Sequence, residues 1–198
     1  LWTNFGVTGQ VGILDWYTVL IGVFAFVTLM VHGALWLAYK NDGEINVRSL
    51  RIARAGWYLV ALCTLAATYF TFRIQPQVPL NFATHPWGYV FPALAIAGLI
   101  GMRLGLRGWP SEGRAFLSSC LFIIGMLTSA VFGVYPNVLP ANTDPKFALT
   151  VYNAAAPPYG LSVGLAWFIP GILLACGYTI FVYRHFAGKV KLDDEHGY

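Results

Sequence analysis

Charged and apolar positions are segregated along this chain. Five stretches contain no Asp, Glu, Lys or Arg: 16–39, 55–72, 74–102, 115–143 and 147–183, with lengths of 24, 18, 29, 29 and 37 residues. A helix needs about 20 largely apolar residues to cross the hydrocarbon of a bilayer, within a working range of about 17–25. Each stretch accommodates one crossing, and spans are expected near 13–39, 53–73, 88–106, 114–135 and 160–184. A barrel strand would alternate apolar and polar residues over about 10 positions. The runs Leu20-Ile21-Gly22-Val23-Phe24-Ala25-Phe26-Val27 and Leu121-Phe122-Ile123-Ile124-Gly125-Met126-Leu127 show no alternation. In hydrocarbon such runs satisfy their peptide groups only as helices. The expected fold is all-α, a polytopic transmembrane bundle of five spans forming a single helical domain over 1–198.

Composition supports that reading. Of the 198 residues, 58% are hydrophobic and 10% charged, where a soluble domain carries roughly 25% charged residues. Too few charges remain to cover a soluble globule. A soluble domain, a disordered chain and a collagen-like fibre are excluded.

Lys and Arg set the expected orientation. The first loop holds Lys40, Arg48, Arg51 and Arg54; the third holds Arg103, Arg107 and Arg114; the C-terminal tail holds Arg184, Lys189 and Lys191. Only Arg73 and Lys146 fall on the opposite side. The positive-inside rule then places the N-terminus outside and the C-terminus in the cytoplasm. The basic loops read as meeting anionic lipid head groups, with no nucleic-acid partner. Trp16, Tyr17, Trp36, Tyr39, Trp57, Tyr58, Trp87, Tyr89, Tyr135, Tyr159 and Tyr183 cluster near the expected helix ends, the depth at which an amphipathic ring is most stable. Residues 1–14 carry no positive charge and no cleavage pattern, unlike a signal peptide. The first residue is Leu1, which suggests a piece of a longer protein.

Candidate chemistry is sparse. Cys63, Cys120 and Cys176 fall inside spans without paired spacing and read as small buried residues. His32 is the one ionisable residue expected well inside a span, roughly 10 Å from its end, and so is the functional suspect. Its sharp reading is an axial haem ligand; its plain reading is a hydrogen-bonded packing histidine. The plain reading is favoured because His85, His185 and His196 lie at other depths, and Met30 and Met126 are unmarked. Asp15 reads as a cap at the start of the first helix. Ala93, Ala97, Gly101 and Gly105 recur every four residues and are expected to form a smooth packing ridge. Pro170 should kink the fifth span. The connection from Pro136 to Tyr159 is long enough to suggest a function. Its centre, Phe147-Ala148-Leu149-Thr150-Val151-Tyr152, is apolar enough to expect it at the interface or against a partner. Asn142, Thr143 and Asp144 before Pro145 fit the N-cap of a short helix.

Several stretches carry a family resemblance. They are Gly12-Ile13-Leu14-Asp15-Trp16-Tyr17-Thr18, His32-Gly33-Ala34 followed by Asp42-Gly43-Glu44, Tyr135-Pro136-Asn137-Val138-Leu139-Pro140, Leu149-Thr150-Val151-Tyr152-Asn153-Ala154-Ala155, and Tyr183-Arg184-His185-Phe186-Ala187-Gly188-Lys189-Val190. In order, spacing and span layout the chain resembles subunit II of cytochrome bd-type quinol oxidases, namely its second helical bundle plus its last helix. The resemblance implies a bacterial inner-membrane complex that oxidises quinol and reduces oxygen to water. It implies a partner, subunit I, carrying b-type and d-type haems, the quinol and the oxygen. It places no catalytic residue or metal on this chain, makes subunit II a stabilising partner, and allows a structural quinone in the complex. The family's acidic proton-route positions lie in a preceding segment and have no counterpart here. The residues alone leave two other readings open. One is half of a secondary transporter, which the Pro170 break would permit. The other is a b-type cytochrome binding haem through His32.

Overall fold

The computed structural model describes residues 15–107, 111–141 and 145–189. Six helices account for most of it: α1 (Trp16–Lys40), α2 (Gly43–Ile74), α3 (Gln77–Thr84), α4 (Val90–Leu106), α5 (Glu112–Val134) and α6 (Pro158–His185). Five helical segments are long and apolar enough to cross a membrane, α4 being extended by a 3₁₀ turn at Pro86–Tyr89.

The helix boundaries follow from local chemistry. At the start of α1, Asp15 Oδ1 accepts from the amides of Tyr17 and Thr18 at 2.9 and 3.0 Å, while the Asp15 amide donates to Thr18 Oγ1 at 3.0 Å. This reciprocal box satisfies donors that no helical carbonyl reaches. Asp15 therefore caps, as its position suggested, although it is only 1% exposed. Between α1 and α2 the chain turns in two residues, and Gly43 opens α2 at φ +67°, in the left-handed region.

The second span departs most from expectation. It begins at Gly43, ten residues before the expected 53, and runs for 32 residues. The stretch taken for a basic loop is an amphipathic helix. Ser49, Leu50 and Ala53 are buried on one face, while Glu44, Arg48, Arg51 and Arg54 are exposed on the others. At 1.5 Å per residue α2 is about 48 Å long, well beyond the roughly 30 Å of hydrocarbon. Its charged first turns project past the lipid. Also unanticipated is α3, which tucks Val78 and Phe82 inward.

Helices α1, α2, α4 and α5 form a bundle, with α4 against α5 and α1 against α2 as the main pairs, joined by α1–α5 and α2–α4 contacts. Its narrow core includes Phe24, Val31, Leu35, Val60, Met102 and Phe122, with Phe24 and Phe122 edge to face at 6.3 Å. Around it, Phe26, Leu29, Leu65, Leu104 and Leu127 point outward. Lipid-facing surfaces carry such residues because hydrocarbon is as apolar as they are. In contrast, α6 has no buried residue, and Trp167 and Leu174 are 78% and 75% exposed.

The α4–α5 seam is built from small residues, on a line different from the expected one. Ala95, Gly98 and Gly105 are buried and Gly101 is partly buried, whereas Ala93 and Ala97 are exposed. A strict four-residue repeat drifts about 40° around the helix at each step. Ala93 therefore lies about 120° from Gly105, while alternating steps of three and four stay on one face. A Cβ on Gly98 would sit 2.4 Å from the Phe122 amide nitrogen, and one on Gly125 would sit 2.4 Å from that of Ala95. These obstacles are backbone and cannot swing away.

Gly98→Ala or Gly125→Ala should destabilise the protein by about 1–3 kcal/mol through forced separation of α4 and α5. Ala93→Leu should change stability by less than about 0.5 kcal/mol. Thermal unfolding of the detergent-solubilised variants checks both; equal effects at Gly98 and Ala93 would contradict the seam.

Candidate functional site

His32 lies on the inner side of α1 and is part-buried. Its Nδ1 is 2.8 Å from Ser119 Oγ on α5, and the Ser119 hydroxyl is 2.6 Å from the Phe116 carbonyl. A serine has one proton to donate. With that proton on the Phe116 carbonyl, Ser119 Oγ accepts, and His32 Nδ1–H donates. The Phe116 ring stacks on the imidazole at 5.0 Å, and Trp36 packs against the same phenyl ring at 5.0 Å. His32 thus ties α1 to α5 inside an aromatic cluster. Its Nδ1 is engaged by Ser119 and a phenyl ring covers one face of the imidazole, contacts that suit a packing histidine. The other described histidines, His85 and His185, stand at the end of α3 and in the last turn of α6. Among the described residues no three His, Cys, Asp or Glu side chains gather as a metal-binding group.

At the basic end of the bundle, polar side chains clasp four helices together. Lys189 reaches Glu112 Oε2 at 2.7 Å and Asp42 Oδ1 at 2.9 Å. Glu112 Oε1 also accepts from Asn46 Nδ2 at 2.5 Å. Lys40 Nζ donates to the carbonyls of Phe186 and Gly188 at 2.9 and 3.3 Å, neutralising the carbonyl end of α6. Gly188 has φ +102°, which turns the chain back toward Asp42. Hydrogen bonds from Lys189 to Glu112 and then Asp42 raise its pKa above the ordinary lysine value of 10.5. Trp36 and Tyr183 add a ring contact at 5.5 Å. Within the membrane depth of α6, no comparable contact from the described residues secures it.

The opposite end is closed by α3 and the long connection. Asn81 Nδ2 donates to the carbonyls of Gly133 and Tyr135 at 2.9 and 2.5 Å, capping α5. The connection forms a small antiparallel hairpin, β1 (Asn137–Leu139) with β2 (Leu149–Thr150). Asn153 braces it: its Oδ1 accepts from the Thr150 amide at 2.7 Å and its Nδ2 donates to the Ala148 carbonyl at 3.0 Å. Pro145 opens a 3₁₀ turn over Pro145–Phe147, shorter than the expected helix. The expected cap at Asn142 lies outside the described residues. Tyr135 and Tyr152 hydroxyls meet at 2.9 Å, and this bond raises the Tyr135 pKa above the ordinary tyrosine value. Phe147 and Tyr152 remain exposed. Between the start of α4 and the end of α5 lies a cavity of about 500 Å³ lined by His85, Trp87, Phe91, Thr128, Phe132 and Tyr135. Pro170 lies inside α6, in a helix without buried residues.

Sequence reasoning singled out His32 and Asn153 but missed their partners. Ser119 is one serine among several in an apolar run. Asp42 and Lys189 stood in two of the stretches that carried the resemblance, and the fold brings those stretches into contact. Asn81 gave no signal.

Narrow apolar packing, polar fastenings at both ends and an outlying helix define the class, a multi-pass helical membrane protein. Residues 3–186 match the family described as cytochrome bd terminal oxidase subunit II, and the chain belongs to that family. It is 22% identical over 206 residues to the probable cytochrome oxidase subunit 2 of Haemophilus influenzae, covering 91% of this chain and 54% of that protein. It is 23% identical over 216 residues to the cytochrome bd-I ubiquinol oxidase subunit 2 of Escherichia coli K12, covering 92% of this chain and 55% of that protein. The chain spans about half the length of the curated relatives it matches.

Ser119→Ala should cost about 0.6–1.7 kcal/mol, the range of interhelical hydrogen bonds in membranes, read as a lower unfolding midpoint. The clasp carries a pH dependence of fixed sign. A lysine whose pKa is raised by folding contributes stability that is complete below the ordinary value and is lost as pH rises through the raised one. Hydrogen exchange at the Phe186 amide should therefore stay constant up to about pH 10, after correction for intrinsic rates, and accelerate above it. Lys189→Met should show the faster exchange at all pH values.

Proposed function

We propose that this chain is a scaffold portion of a bacterial inner-membrane quinol oxidase of the cytochrome bd type. In this reading its partner, subunit I, carries the b-type and d-type haems, and the complex passes electrons from quinol to oxygen, forming water. The family match over residues 3–186 carries the reading. The Escherichia coli relative, subunit 2 of a ubiquinol oxidase, suggests the substrate class. The basic end faces the cytoplasm and the Asp15 end faces outward, as the distribution of Lys and Arg requires. A structural quinone belongs to the same reading of the complex.

The chain's own residues support a mechanical role. His32 and Ser119 hold α1 against α5, small residues let α4 and α5 touch, and Lys189 draws α6 to the bundle. A helix with an exposed apolar circumference suits a subunit that meets other membrane helices. No step of the oxidase reaction is assigned to a side chain of this protein.

The test is purification of the intact complex by a tag on this chain. Haem absorption bands and quinol-dependent oxygen uptake should copurify. His32→Ala should leave the haem bands in place, since its imidazole is engaged in packing. Loss of one band in that variant, with both subunits recovered, would overturn the scaffold reading.

A further inference from the structure

Among the described residues, the basic end carries arginines without an acidic partner. Arg48 pairs with Glu44, and Lys189 takes up Asp42 and Glu112. Arg51, Arg54, Arg103 and Arg107 form no ion pair among the described residues, and the first, second and fourth are exposed. Their position is set by the α2–α4 contact. Trp57 Nε1 donates to the Leu99 carbonyl at 2.8 Å. The Arg103 guanidinium lies over the rings of Trp57 and Tyr58 at 5.3 and 4.9 Å, and its Nη2 donates to the Tyr58 hydroxyl at 2.6 Å. Arg54 stands one turn before Tyr58, at an angle between those of Trp57 and Tyr58. Arg107 caps the C-terminus of α4 in extended backbone, at the same end of the helix as Arg103. Arg54, Arg103 and Arg107 thus stand at the same end of α2 and α4, where the aromatic belt marks the edge of the hydrocarbon, and Arg51 adds a fourth charge one turn further out. Deeper along the same helices, Leu62 and Ile100 are exposed.

We propose that the α2–α4 seam at the basic end binds an anionic phospholipid, with its phosphate held by Arg54, Arg103 and Arg107. This rests on the membrane orientation given under the proposed function. Guanidinium groups match phosphate oxygens in paired hydrogen bonds, and basic pockets between spans on the cytoplasmic side suit doubly charged lipid head groups. A phospholipid satisfies both parts of the surface at once. Its phosphate meets the arginines, and its acyl chains cover Leu62 and Ile100. Arg103 is already fixed by two rings and a hydroxyl, so it loses little freedom when the phosphate arrives.

The experiment uses the intact complex purified through this chain, delipidated and titrated with cardiolipin or with phosphatidylcholine. Native mass spectrometry counts bound lipids, and a thermal scan records the unfolding midpoint. The wild-type complex should retain cardiolipin in preference to phosphatidylcholine, and cardiolipin should raise its midpoint. The pair Arg54→Gln with Arg107→Gln should weaken retention at least about tenfold through loss of charge-assisted hydrogen bonds. Arg48→Gln, whose side chain pairs with Glu44, should behave as wild type. The milder pair Arg54→Lys with Arg107→Lys should recover part of the binding, and it stands in if the glutamine pair fails to fold. Equal retention of cardiolipin by the wild type and the glutamine pair would overturn the proposal. So would loss of a protein subunit from that pair with lipid binding unchanged, which would mark the seam as a protein contact. A complex recovered without haem would count against the oxidase reading instead, leaving the lipid count to judge this site.

Discussion

Hydrocarbon offers a peptide group no hydrogen-bonding partner, and the rest of this structure follows from that constraint. It forces every apolar run into a helix and removes water's drive to push helices together. Cohesion must then come from close approach and from a few polar contacts. The α4–α5 seam supplies the first, with glycines facing backbone. His32 with Ser119, and Trp57 with the Leu99 carbonyl, supply the second. Where helices leave the lipid, stronger electrostatics become available, and charged groups gather there: Lys40, Asp42, Glu112 and Lys189 at one end.

Much of this was legible in the sequence, for a physical reason. A charge inside hydrocarbon is so unfavourable that its absence marks each span, and Asp15 at the edge of the first run read as a cap because little else suits a carboxylate there. The start of α2 was hidden by the same reasoning. Glu44, Arg48, Arg51 and Arg54 look like a loop when charge is taken as the end of a span, yet the helix continues into water on the buried face of Ser49, Leu50 and Ala53. The ridge was legible as a composition and misplaced as a line, because Ala93 and Ala97 rotate away from Gly105 along a helix of 3.6 residues per turn.

Contacts between distant residues were not legible. Lys189 and Asp42 are far apart in the chain, and nothing in either neighbourhood names the other. Ser119 gives no sign of accepting from His32, because a serine inside a span ordinarily bonds its own helix, as Ser119 also does toward Phe116. Asn153 was singled out within a family stretch, but nothing there showed that its amide holds both Thr150 and Ala148. Family resemblance had marked several of these stretches without showing what their residues touch.

The way α6 is attached has a consequence for variation. Among the described residues, α6 is joined to the bundle at one tip and keeps no register with it along most of its length. Along most of that length no described residue of α1 through α5 fixes its face, so the identity of each apolar position on it is answerable to neighbours beyond the described bundle. Substitutions along α6 would accordingly be tolerated by the folding of this chain and judged by the company it keeps in the bilayer.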